Sequence, residues 1–324
     1  MTTTQIVPTP PPDDAGASTG ASGRGGPAPA TVAVPTRRKP GRSPAQRKAF
    51  RLLRRVPVWI LVAVLMVVVL YPQVWMVLGS FKTQAEFLSN PALSLPETWQ
   101  FDNYVSALTN GNVGQNYLNS IIVTIPSVLL IVFIGVAAGY ALEVMIWKGR
   151  NGTLLYILAG IMVPGQMILV PLFIVYFRMG ITDSLLPLII TYTVMGLPLT
   201  TFLMATYFRS VPREIFEAAT VDGSGPLRSF FVIGVPMMKN AILTVGLVQF
   251  FSVWNDLLIA LTFTTRPELA TIQVGLLSLS DEYGSTQYGP LFAAVSINIV
   301  VLLIVFLALN KKIMAGMAGG ALKG

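Results

Sequence analysis

Apolar residues in this chain fall in six long blocks separated by polar segments, at roughly residues 58–78, 117–142, 153–177, 185–207, 241–263 and 290–309. Each block is long enough to cross about 30 Å of hydrocarbon as an α-helix, so the pattern predicts an all-α integral membrane protein with six transmembrane helices. Several blocks contain Pro and Gly. These predict kinks or unwound turns set against neighbouring helices, because backbone groups freed by a break find no partner in lipid.

The stretch ahead of the first block has a different character. Residues 1–40 are Pro, Gly, Ala, Ser and Thr with almost no large apolar side chains, a composition that cannot bury enough surface to offset chain entropy and predicts a disordered tail. Residues 41–56 form a basic juxtamembrane segment in which Arg47, Arg51 and Arg55 recur at helical spacing and Phe50, Leu53 and Val56 share another face. Two readings stand for it, an interfacial helix on anionic lipid and a solvated basic linker. The tail lacks the short apolar core and small-residue cleavage site of an ordinary secretory signal.

Composition agrees with the blocks. Of 324 residues, 53% are hydrophobic and only 11% charged, and the mean hydropathy is +0.68; so little charge cannot cover a soluble globule of this length. There is no Cys and no His, which excludes disulfides, thiolate metal sites, Cys nucleophiles and imidazole acid–base chemistry. No Lys follows a Gly, so the chain has no phosphate-cradling Gly-Lys-Ser/Thr loop. If ATP drives this protein, another subunit binds the ATP.

The net charge of +8 could indicate nucleic acid, but ten of the 22 basic residues precede Val56, directly ahead of the first block. Assigned to alternate sides of the membrane, the tail, the loop with Lys148 and Arg150, the segment from Arg209 to Lys239 and the C-terminus together hold 19 Lys and Arg; the opposite set holds only Lys82, Arg178 and Arg266. The positive-inside rule therefore predicts that both termini are cytoplasmic. The outer set includes two long loops, 79–116 and 264–289, carrying Glu86, Glu97, Asp102, Glu268, Asp281 and Glu282. These are candidate docking surfaces for an external partner.

Between the fourth and fifth blocks, residues 210–236 read as two short helices around a glycine break. Pro212 suits a first helical turn, and Glu214 and Glu217 complement the positive end of the helix dipole. Ile215, Ala218, Ala219 and Asp222 are expected on one side, where small side chains let a partner's backbone approach. Gly223 can take a left-handed turn, and Ser224 with Pro226 suits a second helix start.

Within this segment, Glu217-Ala218-Ala219, three residues, Gly223, nine residues, Ile233, one residue and Val235-Pro236 resemble the EAA signature of ABC-importer permeases, with Val235 where the pattern usually has Leu. The resemblance runs from about Arg55 to Gly324 and narrows to the carbohydrate-uptake branch, of the maltose-transport type. It is carried further by Asn119-Ser120, by Ala138-Gly139-Tyr140-Ala141-Leu142, by Pro164-Gly165-Gln166 with Pro171, by Trp254-Asn255-Asp256, and by the closing Gly320-Ala321-Leu322-Lys323-Gly324. Met314 to Met317 depart from it in detail.

The resemblance implies the type I ABC importer permease fold over residues 57–324 and a non-enzymatic transport subunit in a bacterial cytoplasmic membrane. It makes 210–236 a coupling loop that sits in a cleft of an ATP-binding subunit. Glu217 then makes a polar contact with that subunit, Ala218 and Ala219 permit the close fit, and Gly223 permits the bend; Asp222, Ile233 and Pro236 complete the loop. The implied partners are a second homologous permease, an ATP-binding subunit dimer, an extracytoplasmic sugar-binding protein and the lipid bilayer, with no nucleic acid. No cofactor, metal or catalytic residue is assigned to this chain, ATP and Mg belonging to the partner ATPase.

An ionisable group within a span costs about 2.5–3.5 kcal/mol on insertion scales and usually faces protein or water. Asp256, with Trp254 and Asn255, is a candidate for the sugar path, or a group that ties the fifth helix to a neighbour. Gln166 between Pro164 and Pro171 is likewise a path residue or a partner for freed backbone groups. Glu143 is expected to snorkel at its helix end. The loop at 264–289, with an apolar core from Ile272 to Leu279, resembles an outer loop that reaches into the binding protein; an ordinary amphipathic interfacial loop has the same pattern. The alternative to an ABC importer is an ion-coupled secondary transporter, which needs intramembrane acids and an internal repeat.

Overall fold

The computed structural model describes residues 44–109, 111–281 and 286–321. The tail at 1–40 lies outside the described residues. The chain divides into two compact units, up to Val62 and from Ala63 onward. What is described of the first is helical, the opening of α1 (Pro44–Gly79), so most of the basic segment at 41–56 belongs to the helix that becomes the first span.

In the second unit α1 is followed by α2 (Gln84–Ser89), α3 (Asp102–Thr109), α4 (Val113–Glu143), α5 (Arg150–Met162), α6 (Gly165–Arg178) and α7 (Leu186–Arg209). Next come α8 (Arg213–Val221), α9 (Pro226–Ser229), α10 (Val235–Trp254), α11 (Leu258–Phe263), α12 (Ile272–Asp281) and α13 (Tyr288–Ala321). No strand occurs among the described residues. Among the described residues five helices are long and apolar enough to cross a membrane, and six spans result if the bent pair α5 and α6 counts as one.

The centre is α4 packed along α7. Gly135 and Gly139, one turn apart on α4, create the close approach: a Cβ on Gly135 would strike the Thr200 side chain, and one on Gly139 would lie 2.7 Å from Met204 Cβ and 2.9 Å from Ala205 N. Small residues at this spacing are how membrane helices gain van der Waals contact where no hydrophobic force drives them together. Helix α10 joins the pair through Gln249, whose buried amide donates to Thr200 Oγ1 at 3.0 Å and to the Gly196 carbonyl at 3.5 Å.

Two blocks break where apolarity alone predicts continuity. The third block bends by 93° between α5 and α6. Val163 and Pro164 have extended ψ values of 116° and 118°, because proline lacks an N–H and its ring disfavours helical backbone in the residue before it. The fifth span was expected at 241–263 but runs from Pro226 to Trp254, and residues 258–263 form the separate helix α11. Asp256 sets that restart. Its Oδ1 accepts from the backbone N–H of Ile259 at 2.9 Å and of Ala260 at 3.3 Å, satisfying donors a helix start leaves open.

The loop at 79–116 is ordered by its own polar groups. Thr83 and Glu86 form a reciprocal capping box at α2. Lys82, only 2% exposed, donates from Nζ to Ser94 Oγ at 2.9 Å and to the Pro91 carbonyl at 3.2 Å. Lys82→Met would leave those acceptors unsatisfied, and the expected cost is about 1–3 kcal/mol of local stability. Faster amide hydrogen exchange confined to residues 79–101 is the measurement that checks it.

The apolar core of the loop at 264–289 is turned inward at its start, while Leu277 is exposed. Ile272 and Val274 are buried on α12, which packs on α4 and α13. Asn119 Nδ2 donates to the carbonyls of Glu268 and Ala270 at 2.8 and 2.9 Å, and Ser120 Oγ accepts from Ile272 N at 2.8 Å. Asn119-Ser120 thus pins this segment to α4. Glu282 lies outside the described residues.

Candidate functional site

Helix α8 stands between two devices that fix its ends. Pro212, φ −57° and ψ 129°, is its N-cap rather than part of its first turn. At the other end Gly223 has φ +80°, the left-handed backbone that glycine adopts without a Cβ penalty. The Gly223 N–H donates to Thr220 O at 3.0 Å and the Ser224 N–H to Ala219 O at 2.8 Å, the paired bonds of a Schellman termination. The expected glycine break is therefore a defined turn.

The faces of α8 separate sharply. Phe216 and Ala219 are buried, while Glu214, Ile215, Glu217, Ala218, Val221 and Asp222 are exposed. The expected grouping of Ala219 with Ile215, Ala218 and Asp222 needs correction: Ala219 points into this chain with Phe216, and the small outward residue is Ala218. Val221, 87% exposed, is a large apolar side chain without cover on a short polar helix.

Beneath α8 lies an aromatic base. The Tyr140 ring sits 5.6 Å from Phe208, 5.7 Å from Phe216 and 5.2 Å from Phe230, in edge-on or tilted contact, geometry that suits the ring quadrupoles. Ile233 packs against the same cluster, and Gly234 lets α10 approach, with Tyr140 carbons 3.4–3.5 Å from where its Cβ would stand.

The second expected helix is not a separate short one. Residues 230–234 form a π-helical turn that joins α9 to α10, so the second half of the loop is the end of the fifth span. Pro236 sits at the start of α10. A wider turn just ahead of it accommodates a ring that would crowd the carbonyl one turn back.

A groove of about 340 Å³ opens between α8 and the ends of α4 and α7, lined by Tyr140, Glu143, Arg209, Arg213, Phe216 and Glu217 among others. Glu143 does more than snorkel: its Oε2 is 3.0 Å from Arg209 Nη2 and its Oε1 is 3.7 Å from Arg213 Nη2. The sequence signal that went unread was the spacing of Tyr140 and Glu143, three residues apart on one face of α4.

The proposed path residues have different surroundings. Trp254 is buried, stacked 5.5 Å from Phe250, and donates from Nε1 to Asn298 Oδ1 at 3.1 Å. Asp256 receives the Tyr192 hydroxyl at 2.9 Å and caps α11, the bonding expected of a group that ties helices together. Asn255 is exposed and donates to the Phe251 carbonyl at 3.0 Å. Gln166 is exposed on the first turn of α6, beside the break. Among the described residues no group of three or more carboxylates is placed to hold a metal.

Asp256→Asn, which keeps an acceptor oxygen, is expected to retain both stability and uptake. Asp256→Leu should lose about 1–3 kcal/mol through the orphaned Tyr192 hydroxyl and helix start. Thermal stability in detergent and uptake in vesicles check both; an Asn variant that is stable but inactive would indicate that the charge itself serves transport.

Against known proteins, the model of the family described as binding-protein-dependent transport system inner membrane component matches residues 117–317. The diacetylchitobiose uptake system permease protein NgcG of Streptomyces coelicolor is 33% identical over 258 residues, covering 79% of this chain and 85% of its own. The sulfoquinovosyl glycerol transport system permease protein SmoH of Agrobacterium fabrum is 31% identical over 266 residues, covering 82% and 93%. A solved bacterial ABC transporter involved in import of the acidic polysaccharide alginate matches with a TM-score of 0.71 at 22% identity, over 84% of this chain and 99% of that one; at that identity the likeness carries the fold. Since the family model spans most of the chain, from the second span into the closing helix, this protein belongs to the inner-membrane components of binding-protein-dependent transport systems.

Proposed function

We propose that the chain is a membrane-spanning subunit of an ATP-driven importer for a sugar or oligosaccharide, and that the outward face of α8 is where a separate ATP-binding subunit docks. The observation that carries the reading is α8 itself: exposed Glu217, Ala218 and Val221 stand on a short helix fixed from below by Phe216 and Tyr140 and ended by the Gly223 turn. Glu217 supplies a polar contact and Ala218 the close approach. Asp222 is exposed at the end of α8, Ala219 and Ile233 face this chain, and Pro236 opens the helix that carries the loop into the fifth span. Nucleotide and Mg reside on the partner, consistent with the missing Gly-Lys loop.

A sugar cargo is supported by the names of the relatives, whose cargoes share glycosidic chemistry. The charge asymmetry supports α8 and both termini lying in the cytoplasm of a bacterial cell, with the segments around α2, α3 and α12 facing an external binding protein. The apolar surface of α1, whose most apolar window is unburied in this chain, is left to lipid and to the second, homologous permease of this reading. Against an ion-coupled mechanism stands the structural use of Asp256, whose Oδ1 accepts three hydrogen bonds that tie α7 to the start of α11.

The chain has no Cys, so Val221→Cys introduces a unique thiol. A bifunctional reagent is expected to join it to a co-purifying ATP-binding subunit, with ATP changing the yield. Tagged chain that retains no such subunit would overturn the proposal.

A further inference from the structure

Arg213 breaks a local rule. It is the first residue of α8, where the helix dipole disfavours a cation by a few tenths of a kcal/mol or more. Arg209, in the last turn of α7, obeys the same rule. Both guanidinium groups converge on Glu143, whose side chain is 12% exposed while theirs are 64% and 57%. Only residues 210–212 separate α7 from α8, and such a link can bend. A positive residue at a disfavoured position, drawn to one carboxylate on a third helix, suggests that holding α8 in place matters more than its own stability.

We propose that Glu143 is a positioning residue for coupling: by binding Arg209 and Arg213 together it holds the end of α7 and the first turn of α8 to the end of α4, so that a displacement of α8 moves the α4–α7 pair as a rigid body. This rests on the reading of α8 as the docking element. The attachment has two points. Tyr140 grips Phe216 on the inner face of α8, and Glu143, one turn further along α4, grips its start. Past the clamp, the glycine contacts between α4 and α7 leave no room for the two helices to slide independently. The groove between the two attachments is then the space within which α8 would swing if the carboxylate were lost.

The test uses the complete transporter with its ATP-binding subunit and cognate binding protein. Spin labels on Glu214→Cys in α8 and Phe133→Cys in α4, both exposed positions, report the distance between the two helices. Glu143→Gln is nearly isosteric and is expected to broaden that distance distribution. It should also lower the ratio of binding-protein-stimulated to basal ATP hydrolysis about fivefold or more. Reversing the charges, Glu143→Arg with Arg209→Glu and Arg213→Glu, is expected to restore the narrow distribution. A Glu143→Gln transporter with wild-type distribution and ratio overturns the clamp and leaves docking standing. A reversed variant as broad as Glu143→Gln also overturns it, by placing the effect in side-chain shape rather than charge. If the unsubstituted chain keeps a narrow distribution yet retains no ATP-binding subunit, the docking reading fails, and the coupling role of Glu143 fails with it.

Discussion

Gly223→Val is expected to leave the chain inserted and abundant while reducing binding-protein-stimulated ATP hydrolysis of the assembled transporter about tenfold or more. At φ +80° a β-branched residue costs about 1–3 kcal/mol, and about 1.4 kcal/mol is already a factor of ten in an equilibrium. Nothing lies within 4 Å of the position a Cβ would take, so there is no clash to disrupt folding. The backbone relieves its strain locally instead. It releases the bonds from Gly223 and Ser224 to Thr220 and Ala219 and moves Val221 and Asp222, the end of the exposed face. Asn tolerates the left-handed region better than other residues, so Gly223→Asn should fall between glycine and valine. Protein levels in membranes, read beside stimulated hydrolysis across Gly, Asn and Val, make the check. Normal stimulation in the valine variant would sink the assignment of α8.

Gly139→Val has the opposite signature, loss of the folded protein itself. Its Cβ would meet Met204 Cβ at 2.7 Å and Ala205 N at 2.9 Å, atoms at or beside the α7 backbone rather than the mobile end of a side chain. The two helices must separate, and overpacking of this kind costs about 1–3 kcal/mol or more. Because Gly135 closes on Thr200 one turn away, separation at Gly139 loosens that contact too. Thermal unfolding in detergent should drop sharply, with aggregates by size-exclusion. Gly152→Ala, where a Cβ meets nothing within 4 Å, is the control and should be neutral.

The two variants separate what was legible in the chain from what was not. Gly223 was readable because a helix that must stop and turn needs a residue free to take positive φ, a local requirement with a local signal. Gly139 was readable only as part of a family-like string; that it faces Met204 depends on how α4 meets α7. The same division runs through the spans. Long apolar runs located five of the six membrane segments to within a few residues, since the requirement they meet is length of hydrocarbon, but they placed the start of the fifth at 241 where the span begins at Pro226. They missed the end of the fifth span at Trp254, because residues 257–263 stay apolar and the interruption comes from one carboxylate capping a new helix.

Side chains that appear alike in sequence divide by the surface they meet. Ala218 and Ala219 are adjacent and identical, yet one is exposed and the other buried, on the side that Phe216 turns inward. Trp254 and Asp256 have the chemistry of a sugar site, yet the Trp254 Nε1–H goes to Asn298 and Asp256 Oδ1 takes the Tyr192 hydroxyl and the start of α11. Glu143 seemed a charge seeking water until Arg209 and Arg213, 66 and 70 positions away in sequence, were brought to it.

By itself the sequence determined the membrane class, the spans other than the fifth, and the glycine turn. Each follows from composition, spacing or backbone chemistry that acts within a few residues. The tertiary structure alone decided which face of α8 is outward, what holds it, where proline and aspartate break the spans, and which polar groups are occupied. Those depend on pairs of residues distant in sequence, whose meeting is set by helix packing and leaves no mark on either segment alone.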